Sequence, residues 1–316
     1  RGPVLPRVLP TIVLSLLLLP AVASAQASAL VQGVRAAAMK GELAAAEQLV
    51  AADRAARGVT PENLEAFSWL GRGALAARLS DRADDYAQRT YDLVAAELKR
   101  RPIDQKPRLP IALGAAIEVM AQAAAAQGRR TEAVAFLRAE LARYANTSIE
   151  ARIQKNVNLL SLVGTPAPAL DLSEHVGAPP PTLESLRGSV VLLFFWAHWC
   201  SDCKNQLPVV QQLAARYGGR GLRVLAPTQR YGYVTAGTPA SAEQEARYLG
   251  ELRRTGYAAL GDAPTPIAAA NHTRYGVSTT PTLVLVDRQG IVRLYHPGRM
   301  TAEQLTPLVE QALGER

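Results

Sequence analysis

The chain reads as an α + α/β protein, with an all-helical domain over residues 26–163 followed by an α/β layer domain over residues 164–316. Three observations predict this. Up to Val163 the sequence is rich in Ala, Leu, Arg and Glu, with apolar residues at helical spacing. Gly164-Thr165-Pro166-Ala167-Pro168 then interrupts the pattern, and beyond it short apolar runs alternate with helical segments, the grammar of a layered α/β fold. The third observation is chemical. The only two cysteines, Cys200 and Cys203, sit three apart where an apolar run, Val190 to Trp196, gives way to a helical pattern.

The first residues read as an export signal. Arg1 and Arg7 supply a positive start, residues 8–19 an apolar core, and Ala23-Ser24-Ala25 a small-residue cleavage site over a predicted 1–25 signal peptide. That core is shorter than the roughly 20 residues needed to span a bilayer. Cleavage after Ala25 is expected, an uncleaved membrane anchor over residues 8–20 being the alternative. Either places the protein in the periplasm or cell envelope, where disulfides persist.

Helices are expected near 28–56, 62–79, 81–100, 110–127, 130–144 and 148–162. Thr60 followed by Pro61 suits an N-cap with Pro at the first helical position. Abundant alanines allow close helix approach, with Phe67, Trp69, Leu70, Tyr86, Tyr91 and Phe136 filling the core. Phe67, Leu70, Gly71, Ala74, Ala83 and Ala87 give a small/large pattern that partly resembles tetratricopeptide-type helical hairpins. Ile117, Met120, Ala121, Ala133 and Leu137 repeat it, away from the 34-residue period of that family. A helical adaptor surface and a plain packing domain are both compatible with it. In the second half, strands are expected at 169–172, 190–196, 222–227, 282–287 and 291–296, and helices at 201–217, 241–254, 265–274 and 302–313. The Pro-rich stretch at 178–181 and residues 230–240 read as loops, the latter as an insertion near the active edge.

With 48% hydrophobic and 20% charged residues the composition is globular. The net charge of +8 is spread over both halves, and the Arg-Arg pairs at 100–101, 129–130 and 253–254 lack interleaved aromatics. Solvated helix faces therefore explain them better than a nucleic-acid site.

Two thiols three apart at a helix start share one face, and the positive end of the helix dipole favours a thiolate on the first. A thiolate beside a partner thiol is what thiol–disulfide exchange requires. Zinc would need two further ligands, yet His175, His198, His272 and His296 are scattered without ligand-like spacing, so no resident metal site is expected. A purely structural disulfide gains little from closing so short a loop. Cu(I) capture by the two thiolates stays open as a second activity.

Further motifs carry a family resemblance. Gly164-Thr165-Pro166-Ala167-Pro168 leads to Leu170, Leu186-Arg187-Gly188 precedes the first long strand, and Phe195-Trp196-Ala197-His198-Trp199-Cys200-Ser201-Asp202-Cys203 follows, with Pro208 in the helix. Tyr275-Gly276-Val277-Ser278-Thr279-Thr280-Pro281-Thr282 then enters the run Leu283 to Asp287. Together these resemble the exported TlpA-like and ResA-like thiol–disulfide oxidoreductases of the thioredoxin superfamily, over about residues 164–316. The resemblance implies a thioredoxin-like α/β/α domain with a central mixed sheet. It makes Cys200 the exposed attacking thiolate and Cys203 the more buried resolving thiol, with no cofactor beyond their disulfide. Pro281 corresponds to the family's cis-proline, facing the sulfurs so that the Thr280 backbone pairs with an extended substrate, and Trp199 is a third substrate-facing position. Trp196 matches an aromatic position beside the dithiol.

Departures matter equally. Phe194 stands where thioredoxins proper carry a buried Asp, and Gln206 where related reductases place Glu. Gln can hydrogen-bond but cannot take a proton at neutral pH. His198 titrates near neutrality and could assist, though a surface imidazole is the plainer expectation. Asp202 places negative charge beside the thiolate, which favours the disulfide and a reducing site. The expected activity is reduction of protein disulfides, with protein thiol/disulfide clients and a membrane electron donor as partners. The alternatives are a Cu(I) metallochaperone and a client-binding adaptor with a redox tether. A peroxidatic site of the Pro-x-x-x-Thr-x-x-Cys type does not fit, since Ala197 and Leu193 occupy the third and seventh positions before Cys200.

Overall fold

The structure, a computed structural model, describes residues 28–314. The expected signal peptide or anchor lies outside these residues.

Helical periodicity becomes seven α-helices: α1 (Ala29–Met39), α2 (Leu43–Arg57), α3 (Pro61–Ala76), α4 (Ser80–Leu98), α5 (Arg108–Ala126), α6 (Arg130–Arg143) and α7 (Glu150–Ser161). The single helix expected at 28–56 is two, because Gly41 (φ +84°) ends α1 in a left-handed turn. There the Glu42 N–H donates to Ala37 O and the Gly41 N–H to Ala38 O, satisfying carbonyls that the helix end would orphan. The same pair of bonds closes α3 at Arg78 and Leu79, and α5 at Gly128 and Arg129. Three helix pairs are thus turned by one device. Thr60 caps α3, its Oγ1 accepting from the Asn63 N–H at 3.1 Å, with Pro61 in the first turn.

Helices α1, α3, α5 and α7 pack side by side, and α2, α4 and α6 fill the spaces between successive members. Close approach depends on small residues: a Cβ at Gly73 would stand 2.8 Å from Ala38 Cβ. α5 is apolar and long enough to cross a membrane by composition, and most of it is buried inside this array.

The second half contains a four-stranded mixed sheet in the order β3 (Leu222–Leu225), β2 (Val190–Phe195), β7 (Thr282–Val286), β8 (Val292–Pro297). β2 runs parallel to β3 and antiparallel to β7, and every residue of it is buried. Alternation sends Val190, Leu192, Phe194 and Trp196 into one core with α8 (Ser201–Tyr217) and α11 (Ala302–Gly314). Val191, Leu193 and Phe195 enter the other, with Tyr275, Tyr295 and Leu162 from the end of α7. The helical half is therefore tied into the second core.

Two expectations fail here for identifiable reasons. Residues 169–172 form no strand, because Asn271 of α10 (Ala269–Arg274) takes their backbone: its Oδ1 accepts from the Asp171 N–H at 2.7 Å and its Nδ2 donates to Asp171 O at 2.8 Å. The helix expected from 265 starts at 269, because β6 (Thr265–Pro266) is held in an antiparallel pair by β1 (His175–Val176). Residues 230–240, read as a loop, contain a short hairpin of β4 (Tyr233–Thr235) and β5 (Thr238–Pro239), followed by α9 (Ala242–Arg254).

Candidate active site

The end of β2 is fixed before the dithiol begins. Trp196 Nε1 donates to Ala226 O at 2.9 Å, Thr228 Oγ1 donates to Trp196 O at 2.8 Å, and the Tyr257 hydroxyl donates to Ala197 O at 3.1 Å. The Cys200 N–H also donates to Ala197 O at 3.1 Å, turning the chain into α8. Cys200 is the N-cap, and its Sγ accepts the Cys203 N–H at 2.9 Å. This is the backbone donation that stabilises negative charge on sulfur at a helix start. The two sulfurs form a disulfide, with Cα atoms 5.2 Å apart.

Cys200 is not the exposed residue that the resemblance implies. It is 4% exposed and Cys203 fully buried. The capping geometry draws Sγ inward over the helix end, and it packs with Trp196, Phe194 and Leu207 in the first core. Trp199 is the projecting member of the motif, 53% exposed, with its ring edge-on to Tyr231. The Thr280–Pro281 peptide is cis, and Thr280 O lies 3.5 Å from Cys200 Sγ.

His198 is also corrected: it is 3% exposed, not a surface imidazole. Its ring is enclosed edge-on by Tyr231, Tyr233 and Tyr248, with Nε2 3.5 Å from Glu245 Oε1. Burial pushes its pKa below the ordinary histidine value, while Glu245 and the Tyr233 backbone oppose the shift. The buried Glu245 carboxylate in turn accepts the N–H groups of Tyr231 (2.6 Å) and Gly232 (2.9 Å), fastening the hairpin beside the dithiol. Sequence reading missed Glu245. The available signal was its place one turn before Leu249, on the apolar stripe of an otherwise charged helix. Tyr231 and Tyr233, flanking a glycine within an expected loop, were a second unused signal.

Gln206 is buried and clamps the loop after β8: its Oε1 accepts the Met300 N–H at 2.8 Å and its Nε2 donates to Met300 O at 3.0 Å. Asp202 is exposed at the first turn of α8, with Arg299 Nη1 3.7 Å from its Oδ1. Arg299 opposes the charge effect expected of Asp202. Among the described residues, no group of three or more His, Cys, Asp and Glu side chains is placed to hold a metal ion.

The site can therefore do sulfur chemistry: one sulfur is held at a helix N-terminus, a second lies one turn on, and a backbone carbonyl passes beside them. Residues 163–295 match the AhpC/TSA family. The chain is 30% identical over 149 residues to the thiol-disulfide oxidoreductase ResA of Geobacillus thermodenitrificans, covering 47% of this chain and 76% of that protein. It is 29% identical over 162 residues to the thiol:disulfide interchange protein DsbE of Pseudomonas aeruginosa, covering 49% of this chain and 79% of the relative. A thiol-disulfide isomerase structure from Corynebacterium glutamicum covers 48% of this chain and 98% of its own, at 23% identity and a TM-score of 0.39. A mixed sheet carrying this dithiol, and a ResA protein matched along three-quarters of its length, place the chain among the ResA-like thiol–disulfide oxidoreductases of the thioredoxin superfamily.

Proposed function

We propose that the chain is an exported reductase of protein disulfides. In the reduced protein, the Cys200 thiolate attacks one sulfur of a client disulfide, forming a mixed disulfide and releasing one client thiolate. Cys203, deprotonated, attacks Cys200 Sγ, forming the Cys200–Cys203 bond and releasing the second client thiolate. Two electrons pass from the dithiol to the client, and the two client thiolates take up protons. A membrane electron donor returns the disulfide to the dithiol. The observation that carries this reading is the placement of Cys200 Sγ, which accepts the Cys203 N–H while 3.5 Å from Thr280 O. The first contact favours a thiolate leaving group and nucleophile, and the second sets the sulfur beside a backbone edge on which an extended substrate can lie.

The export-signal pattern of the first 25 residues supports work in the periplasm or cell envelope. The direction of transfer follows from potential, and Asp202 favours the reducing sense. A Cys203→Ala variant expressed in its native envelope should accumulate mixed disulfides with client proteins, identifiable by mass. The unaltered protein should interconvert between dithiol and disulfide in a glutathione couple. Failure of both would end the proposal, and accumulation of oxidised rather than reduced clients would reverse its direction.

A further inference from the structure

The helical half meets the α/β half on the sheet face opposite the core that holds the dithiol. α7 packs on α10 and β8, and Leu162 shares the core of Phe195 and Tyr275. Between the two halves a cleft of about 530 Å³ opens, and its walls come from both: Pro107, Pro110 and Ile111 at the start of α5, Ile149 before α7, and Ser278 of the loop leading to Pro281. Its volume holds one or two side chains, not a helix.

Ser278 lies two residues before Thr280, and two residues of chain span at most about 7 Å. The Ser278 edge of the cleft therefore lies within about 7 Å of Thr280, whose carbonyl oxygen is 3.5 Å from Cys200 Sγ. An extended client advances about 3.3 Å per residue. Its side chain roughly two to four positions from the reacting cysteine would reach this opening.

The charged groups at the rim are already engaged. Arg152 donates from Nε to Glu118 at 3.1 Å and from Nη1 to Ile111 O at 3.2 Å, and Asp104 is taken by the Ser148 hydroxyl and N–H. The prolines and isoleucines are left to discriminate. We infer that this cleft is a client subsite, contributed largely by the helical half, that accepts an apolar side chain two to four residues from the client's cysteine. The inference rests on the disulfide-exchange reading above and adds to it a substrate preference.

The test uses the reduced full chain and short Gly/Ser peptides whose single cysteine is joined by a disulfide to 2-nitro-5-thiobenzoate, with one Leu moved stepwise along either side. Release is followed by absorbance. Leu at two to four positions on one side of the cysteine should raise the second-order rate constant of release about tenfold over the all-Gly/Ser peptide, the order expected for burying one apolar side chain. Ile111→Ser should bring that ratio close to one. Because a core-edge change can disturb folding, Ser148→Trp at the exposed rim, which obstructs the opening without removing a buried side chain, should do the same. Equal rates at every Leu position, or a gain that survives both variants, overturns the subsite and leaves exchange intact. No release from any peptide, with no cycling in glutathione, overturns the exchange reading and the subsite together.

Discussion

Gly276 lies against the backbone of Lys155 in α7, so near that a Cβ at position 276 would stand 2.6 Å from Lys155 Cα and 2.7 Å from the Gln154 carbonyl carbon. Its φ of +61° is also a conformation that side chains resist. The glycine lets the two halves close on each other just ahead of the Ser278–Pro281 loop. Gly276→Ala meets both penalties and should cost about 2–4 kcal/mol. The expected signature is faster amide exchange in α7 and at Tyr275–Val277, with an unchanged glutathione equilibrium. A variant as stable as the parent would show that the halves separate freely.

Gln206 makes two hydrogen bonds to one residue, and a carboxylate can replace only one of them. In Gln206→Glu the ionised side chain keeps the Met300 N–H but faces Met300 O without a proton to donate. Burial and that carbonyl both favour the protonated acid, raising its pKa in the folded state. Stability should match the parent below the ordinary Glu pKa and fall as pH rises, by about 1–3 kcal/mol at neutrality. The same raised pKa makes a proton acceptor near the resolving thiol, so mixed-disulfide release should quicken. Equal release rates in single-turnover assays would refute that role, and a flat pH–stability curve would refute the buried-acid account.

Sequence patterns specified what depends on local chemistry. Cys200 and Cys203 at a strand-to-helix junction, the Thr60–Pro61 helix start and the apolar run Val190 to Phe195 were legible because neighbouring residues determine them. What escaped depends on partners distant in sequence. Residues 169–172 carry a strand-like pattern, yet Asn271 intercepts their backbone from 100 positions away. His198 looks like a surface residue until Tyr231, Tyr233 and Tyr248 fold over it. The split of the first helix at Gly41 was available locally, since glycine flanked by Lys40 and Glu42 is an ordinary C-terminal signal.

His272 provides a pH-dependent test of packing. Its ring stands edge-on to Phe195 with centroids 5.5 Å apart, and burial lowers its pKa to about 4, opposed only partly by the backbone of Ala268 and Trp196. A histidine whose folded pKa is depressed binds fewer protons folded than unfolded. Its contribution is therefore fully present above about pH 6.5 and is lost as pH falls toward 4, by up to roughly 3 kcal/mol. His198 adds a loss of the same sign. Glu118 is a separate case: burial would raise its pKa, but Arg152, Lys155 and Arg72 outweigh this and hold it at about 2, so its contribution is lost only below the ordinary Glu range. The melting temperature should thus fall between pH 6.5 and 4.5, and His272→Leu should flatten most of that slope. An unchanged slope would mean that the ring is hydrated or partnered.

Asp202 and Arg299 make opposed predictions for the redox potential. Negative charge at the start of α8 destabilises a Cys200 thiolate and so favours the disulfide; Arg299, 3.7 Å from that carboxylate, offsets the effect. Both side chains are more than half exposed, so solvent screening keeps each contribution small. Asp202→Asn should raise the potential by roughly 10–20 mV, and Arg299→Ala should lower it by a similar or smaller amount. The double variant should return near the parent value, and both single-variant shifts should shrink in 1 M salt, where the screening length falls to about 3 Å. Single-variant shifts of the same sign, or shifts indifferent to salt, would exclude direct charge–charge interaction as their cause and point to altered geometry at the helix start.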